Sequence, residues 1–276
     1  MVKMVLLFRG ILLKIRMLFP EFASATRLLS ITLLIAAPAC TQQPTDPAAT
    51  KKVADDAYHQ RQEYLLHNDW PNLQRYAAAN QRLPAPTPGV PRVVLIGNSI
   101  TEGWVKTDSA FFSGKPFEYV GRGIGGQATG QTVVRFRPDV IDLHPIVVVI
   151  LVGTNDVAEN NGPYVPQTTL NNIMTMTELA QAHGIRVVLS AVAPAADFWW
   201  HKGLMPAPKI VALNQKVRAY ATQQHLVYLD IHTALADENQ GLKKAYSDDG
   251  VHPNLAGYRV MEPLLNQAVT AALKDK

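Results

Sequence analysis

The stretch IVVVILV, residues Ile146–Val152, sets seven apolar side chains in succession. A strand with one face in water alternates apolar and polar residues; an unbroken Val/Ile/Leu run of this length reads as a strand covered on both faces. Three further runs share the pattern: RVVLI (Arg92–Ile96), RVVLSAV (Arg186–Val192) and LVYLD (Leu226–Asp230), with a weaker one in FEYV (Phe117–Val120). Helical patterns fall between and after them, near residues 129–143, 166–182, 208–224 and 255–273. On the last of these, Tyr258, Met261, Leu265 and Val269 recur at steps of three or four and form one apolar stripe. Strand and helix therefore alternate. The expected fold is α/β: a five-stranded parallel sheet with right-handed crossovers, in a flavodoxin-like three-layer α/β/α sandwich. In such folds ligands bind beyond the carboxyl ends of the strands.

The 276 residues suffice for one substantial core with appendages. The formal net charge of +4 is confined to the start of the chain. Five basic residues and one acidic residue precede Cys40, which leaves twenty-one of each sign in the remainder. A neutral body carries no basic footprint for nucleic acid. Arg27 is followed by the apolar run LLSITLLIAA (Leu28–Ala37) and then by Pro38, Ala39 and Cys40. That run is too short to span a bilayer comfortably and has the length of a signal-peptide apolar region. Cys40, the only cysteine, stands where the run ends, in a pattern that resembles the lipobox of bacterial lipoproteins, whose cysteine is lipidated. Ala37 and Pro38 depart from that pattern, and an ordinary signal peptide with a chance cysteine is the alternative; Met17 would open a more ordinary signal than Met1. The expected organisation is a signal peptide over 1–39, a polar tether over 40–51, a helical lead-in with a Pro-rich connector over 52–91, and the α/β domain over 92–276. Within the lead-in, helix is expected from about Lys51 to Asn80 with a break near Pro71, and Tyr64, Leu65, Leu73 and Tyr76 supply apolar contacts.

Chemistry-bearing residues gather at the strand ends. After the first run comes GNSITEGW, with Ser99 at a strand-to-helix turn, placed either as an exposed hydroxyl or as a helix cap. After the second comes GRGIGG (Gly121–Gly126), which fits the spacing of dinucleotide-binding loops. GTNDV follows the third and puts Asn155 just past its end, where an Asx-type turn is the bland reading. DDGVHPN precedes the last helix and sets Asp249 three residues before His252, close enough for the carboxylate to fold back onto the ring. The seven other histidines have no such company. A hydroxyl, a base, a carboxylate to orient the base and preorganised donors are together the parts needed for acyl transfer.

These four blocks, in this order, resemble the SGNH (GDSL) hydrolase family, and the likeness covers essentially Arg92–Leu273. The resemblance implies Ser99 as nucleophile, His252 as general base and then acid, and Asp249 as the group that orients His252. It implies an oxyanion hole of the Ser99 N–H, the Gly126 N–H and the Asn155 side-chain amide. Asn98 departs from the Asp usual before the nucleophile, and Gly121 from a frequent Asn. A dinucleotide site would want an acidic residue at a second strand end about 20 residues past the glycines. Asp139 and Asp142 have the spacing but lie in a helical pattern, and that reading leaves Ser99, Asn155, Asp249 and His252 without a role.

The expected reaction is hydrolysis of short-acyl esters, acetyl foremost, with carbohydrate as the leading alcohol and a lysophospholipase-like activity on lipids as the alternative. A surface module that binds glycans without turnover is the rival from another class. No metal or organic cofactor is implied, and the membrane is met through the lipid anchor alone. The loop APAADFWWHKGLMPAP carries Trp199 and Trp200, which could stack on a sugar ring or pack against their own domain. Localisation is expected to be export, with anchoring at the bacterial cell envelope.

Overall fold

The structure is a computed structural model and describes residues 47–113 and 116–274. Cys40, the apolar run before it and the expected cleavage site lie outside the described residues. The chain divides into two units, Met1–Val53 and Ala54–Lys276, and the second holds the sheet.

Five parallel strands form that sheet: β1 (Arg92–Gly97), β2 (Glu118–Gly123), β3 (Val147–Leu151), β4 (Arg186–Ser190) and β5 (Val227–Leu229). Their spatial order is β2-β1-β3-β4-β5, the flavodoxin-like arrangement. The helices are α1 (Pro47–Asn68), α2 (Gln74–Arg82), α3 (Ser99–Thr107), α4 (Ser109–Ser113), α5 (Thr129–Val134), α6 (Phe136–Asp139), α7 (Thr154–Val157), α8 (Pro166–Ala182), α9 (Pro206–Gln223), α10 (Ile231–Leu235) and α11 (Leu255–Lys274). Alternate residues of each strand point to opposite faces, and both faces are dry. Val94, Ile96, Val148 and Ile150 share one core cluster with Met176 of α8 and Leu213 of α9, while Val93, Leu95, Val147 and Val149 share the other with Trp104 of α3 and Met261 of α11. Each such side chain contributes roughly 1.5–3 kcal/mol on burial. Two covered faces are the physical reason the strand runs do not alternate. The stripe expected on the last helix is buried throughout: Tyr258, Met261, Leu265 and Val269 are at most 1% exposed. Among the described residues no helix is long and apolar enough to cross a membrane.

Three local expectations give way to the structure. The weak second strand runs on to Gly123, so half of the glycine-rich stretch is strand, with Gly121 paired to Leu95 and Gly123 to Gly97. The helix expected over 129–143 breaks into α5, α6 and a 3-10 turn at Ile141–Leu143. Pro138 has no N–H to give the carbonyl of Val134, so one continuous helix cannot run through. At the N-terminus, α1 begins at Pro47, inside the stretch expected as tether, with proline in the first helical turn where its missing N–H costs nothing. Tyr64 and Leu73 are exposed, not packed. Tyr76 does pack: its hydroxyl donates to Gly123 O, and the guanidinium groups of Arg75 and Arg122 lie 5.1 and 4.9 Å from its ring centre.

The end of β2 comes so close to the turn after β1 that only glycine fits. A Cβ on Gly123 would lie 2.2 Å from Glu102 N and 2.6 Å from Asn98 O, and backbone atoms cannot swing aside. Gly123→Ala is expected to cost about 1–3 kcal/mol of stability, the usual range for overpacking, read as a lowered midpoint in denaturant unfolding.

Candidate active site

Ser99 is positioned by the way β1 ends. Asn98 stands between strand and helix with its side-chain oxygen accepting the Ile100 N–H at 3.0 Å, so it caps α3 in the manner of an Asx residue. Capping requires only an acceptor oxygen, and Asn supplies one as Asp would. The Asn98 amide nitrogen is buried without a partner. Ser99 is then the first residue of α3, and its N–H has no acceptor among the described residues. From below, α11 braces this turn: the Tyr258 hydroxyl donates to Ile100 O at 2.8 Å, and its ring stacks on Trp104 with centroids 5.4 Å apart.

Asp249 and His252 are assembled by their own turn. The Asp249 Oδ1 accepts the N–H groups of Val251 and His252 at 2.9 and 2.8 Å, and Oδ2 lies 2.6 Å from the His252 Nδ1. The Ser247 hydroxyl donates to His252 O at 2.8 Å and accepts the Gly250 N–H at 2.9 Å, which closes the turn. Partial burial pushes Asp249 up, but the His252 N–H, the imidazole and the Val251 N–H outweigh it and hold the carboxyl at about 2. The other ring nitrogen, Nε2, lies 2.9 Å from Ser99 Oγ across 153 residues of chain. Carboxylate, imidazole and hydroxyl thus form one hydrogen-bonded line.

The glycine turn lies beside that hydroxyl: a Cβ at Gly125 would be 3.7 Å from Ser99 Cβ. The Gly125 N–H donates to Glu102 Oε2 at 2.8 Å, whereas the next one, on Gly126, has no acceptor among the described residues. Gly126 has φ of 78°, a left-handed conformation that costs glycine little. Burial raises Glu102, but its bonds to Lys106, Arg75 and Gly125 N outweigh that and hold its carboxyl below the usual range. Asn155 sits on α7, just past β3. Its Nδ2 donates to Gln127 O at 2.9 Å and its Oδ1 accepts from Asn160 Nδ2 at 3.0 Å. The amide is therefore fixed in orientation and keeps one N–H to spare.

Beneath the turn lies a residue whose role the sequence does not signal. Arg135 is fully buried. Its guanidinium donates to Gly97 O (2.7 Å), Arg122 O (2.8 Å), Gln127 Oε1 (2.6 Å) and Asp139 Oδ2 (3.0 Å). It clamps together the ends of β1 and β2 and the start of the loop that follows. The sequence offers only an Arg four residues before an Asp, a spacing more typical of a solvated helix pair. Asp139 is further engaged by Asn80 Nδ2 at 2.7 Å, and Asp142 is an exposed surface carboxylate. Neither stands at a strand end, as a ribose ligand would have to. Gln127, Asn160 and Glu102 likewise carry no sequence signal, because their roles depend on loops brought together by folding. Asp156 is another: burial raises its carboxyl against bonds from the Thr129 N–H and hydroxyl and from Thr169, and it ties α7 to α5 and α8.

The aromatic loop divides its side chains. Phe198 is buried in the core and Trp199 is 62% exposed. Trp200 lies against the His252 ring with centroids 6.4 Å apart, its Nε1 donating to Asn160 Oδ1 at 2.9 Å. Among the described residues no three His, Cys, Asp or Glu side chains are grouped to hold a metal ion.

A serine at a helix start, bonded to a histidine that is itself bonded to aspartate at the carboxyl edge of a parallel sheet, is the architecture of an acylhydrolase. The model of the GDSL-like lipase/acylhydrolase family matches residues 95–260, and the chain belongs to that family. Among solved structures it is similar to a Bacteroides fragilis protein assigned as an acylhydrolase (48% identity, 75% of this chain and 100% of that one, TM-score 0.73). It is also similar to a GDSL-like lipase of Bacteroides thetaiotaomicron (44% identity, 74% and 100%, TM-score 0.71). An acetylxylan esterase of Xylanibacter ruminicola is 27% identical over 233 residues, 68% of this chain and 45% of that protein. An uncharacterised lipoprotein of Bacillus subtilis is 35% identical over 78 residues, 27% of this chain and 32% of that protein. The chain thus spans less than half the length of these curated relatives.

Two measurements probe this arrangement. Because the folded Asp249 carboxyl is depressed, its stabilising contribution is in place above the ordinary carboxylate range near 3.9 and is lost as pH falls through about 2. A carbon NMR titration should place its midpoint there, and His252→Ala should move it part of the way up, since the backbone donors remain. Arg135→Met should cost about 3–5 kcal/mol in denaturant unfolding, because it strands a buried carboxylate and two strand-end carbonyls.

Proposed function

We propose that the protein is a serine esterase that removes short acyl groups, acetyl foremost, from carbohydrate, with Ser99, His252 and Asp249 as its catalytic triad. The observation that carries this reading is the line Asp249 Oδ2–His252 Nδ1 (2.6 Å), His252 Nε2–Ser99 Oγ (2.9 Å). His252 Nε2 takes the Ser99 proton as Oγ attacks the ester carbonyl. Asp249, ionised throughout the neutral range, keeps the ring proton on Nδ1 and stabilises the imidazolium. Negative charge builds on the former carbonyl oxygen, where the N–H groups of Ser99 and Gly126 and the spare N–H of Asn155 meet it in preorganised positions. As the intermediate collapses, the carbon–oxygen bond to the alcohol breaks and His252 returns the proton to the leaving alkoxide. The acyl group stays on Ser99. Water, deprotonated by His252, then releases the acid and restores the hydroxyl.

Family membership supports ester hydrolysis, and the acetylxylan esterase of Xylanibacter ruminicola supports an acetylated saccharide as substrate. Export fits both the sequence before Cys40 and the likeness to a Bacillus subtilis lipoprotein; anchoring through lipidated Cys40 belongs to the same proposal.

Labelling with a fluorophosphonate probe, followed by acetate release from acetylated saccharides, lysolipids and aryl esters, tests the reading. Modification at Ser99 with turnover on saccharides is the expected result. Absence of labelling in folded protein would favour glycan binding without catalysis, and turnover on lysolipids alone would favour the lipid esterase. Asn155→Ala should lower kcat about 10²- to 10³-fold, the typical loss for one oxyanion donor. Asp249→Asn should lower kcat about 10⁴-fold, while Asp248→Asn should cost far less.

A further inference from the structure

A groove of about 550 Å³ opens beside the Gly125–Gly126 turn, and this volume falls in the roughly 300–1,000 Å³ range of small-molecule sites. Trp200 lines it where it meets the catalytic line. Its other wall comes from α1 and the turn after it, including Tyr58, Leu66 and Trp70. Those residues precede the span matched by the family model.

The geometry of proton return says which half of an ester lies there. His252 must protonate the departing alcohol, so that alcohol leaves on the imidazole side of the carbonyl. Trp200 lies against the imidazole, held there by Asn160, which also holds Asn155. The alcohol therefore departs along Trp200 into the groove, and the acyl group lies away from it.

Trp70 is held at the groove by its backbone. Gln131 Nε2 donates to Trp70 O at 2.8 Å and Gln127 Nε2 to Pro71 O at 2.7 Å. Farther along, Tyr76 bonds Gly123 O and Arg75 bonds Glu102. The segment is thus tied to the glycine turn from both sides, and yet the Trp70 side chain remains 39% exposed. A large aromatic surface left in water on a fixed backbone, next to carboxamides from Gln131, Asn160 and Asn161, suits a ligand with apolar ring faces and hydroxyl edges. Among the described residues the groove is lined by one acidic side chain, Glu63, which bonds His67 at 2.9 Å. Such a lining recognises a neutral polyol and offers neither a charged headgroup site nor a continuous apolar trough.

We propose that the turn carrying Trp70 completes the substrate site, so that Trp70 and Trp200 bind the sugar ring bearing the scissile ester, on its leaving-group side. This rests on the saccharide-esterase reading above and names the part of the chain that selects the alcohol. Truncating Trp70 should weaken saccharides far more than small aryl esters, which bring no sugar ring for it to bind.

The test compares kcat/KM for acetylated xylo-oligosaccharide and for para-nitrophenyl acetate in the full chain, in Trp70→Ala and in Trp70→Phe. In Trp70→Ala the saccharide-to-aryl ratio should fall about tenfold, through KM, and Trp70→Phe should recover most of it. If the wild type deacetylates the saccharide and the Trp70→Ala ratio stays within about twofold of it, the subsite is wrong and the esterase reading stands. An equal loss on both substrates would also overturn the subsite, since it marks a general disturbance of the site. A wild type that cleaves the aryl ester but no acetylated saccharide overturns the saccharide reading, and the subsite with it.

Discussion

A guanidinium cut off from water holds the working edge of this sheet together. Taking a cation out of solvent costs several kcal/mol unless every donor finds an acceptor in good geometry. Arg135 meets that demand with the last carbonyl of β1, a carbonyl of β2, the Gln127 side chain and the Asp139 carboxylate. The two strand ends cannot drift apart without stranding a buried charge. Ser99 follows Gly97 by two residues and Gly126 follows Arg122 by four, so the separation between hydroxyl and backbone donor is set by the same clamp. The close packing at Gly123 works alongside it: β2 lies against the turn that carries the serine because no side chain intervenes.

The Asp249–His252 half of the hydrogen-bonded line is placed differently. Asp249 and His252 are paired within a six-residue turn, and the carboxylate is oriented by backbone N–H groups before any distant contact is made. What folding must supply is the placement of this preassembled pair over Ser99. That falls to α11, which starts immediately after the turn and packs its buried stripe against β3, β4 and β5, with Tyr258 bonded to the backbone of α3. A rigid pair on a well-docked helix meets a serine on a clamped strand end. Distances of 2.6 and 2.9 Å along the line follow from two stiff supports, not from the loops themselves.

Carboxamides link these parts. Gln127 joins Arg135 to Pro71, Gln131 joins Trp70 to the N–H of Ala128, and Asn160 joins Trp200 to Asn155. Each both donates and accepts without carrying charge, so the site is fixed in place without disturbing the electrostatics on which the Asp249–His252 pair depends. The N-terminal turn is joined to the same lattice, as an integral wall of the groove.

The sequence by itself determined the sheet, its parallel sense and the identity of the residues at its carboxyl edge. Burial on two faces leaves unbroken apolar runs, and a turn that pairs Asp249 with His252 needs only neighbours three apart. It also showed the last helix, because one packed face forces a periodic stripe. The extension of β2 through Gly121–Gly123 was illegible, since glycines carry no pattern and are strand here only because β1 pairs with them. Arg135 was illegible too: its spacing to Asp139 is the same in water or in a core, and only the carbonyls converging on it make burial tolerable. Tertiary structure alone decided that Nε2 of residue 252 would meet Oγ of residue 99, that Trp200 would face the imidazole while Trp199 faced solvent, and that Trp70 would line the same groove as Gly125 and Gly126. Those outcomes depend on contacts between segments far apart in the chain, and no local propensity encodes them.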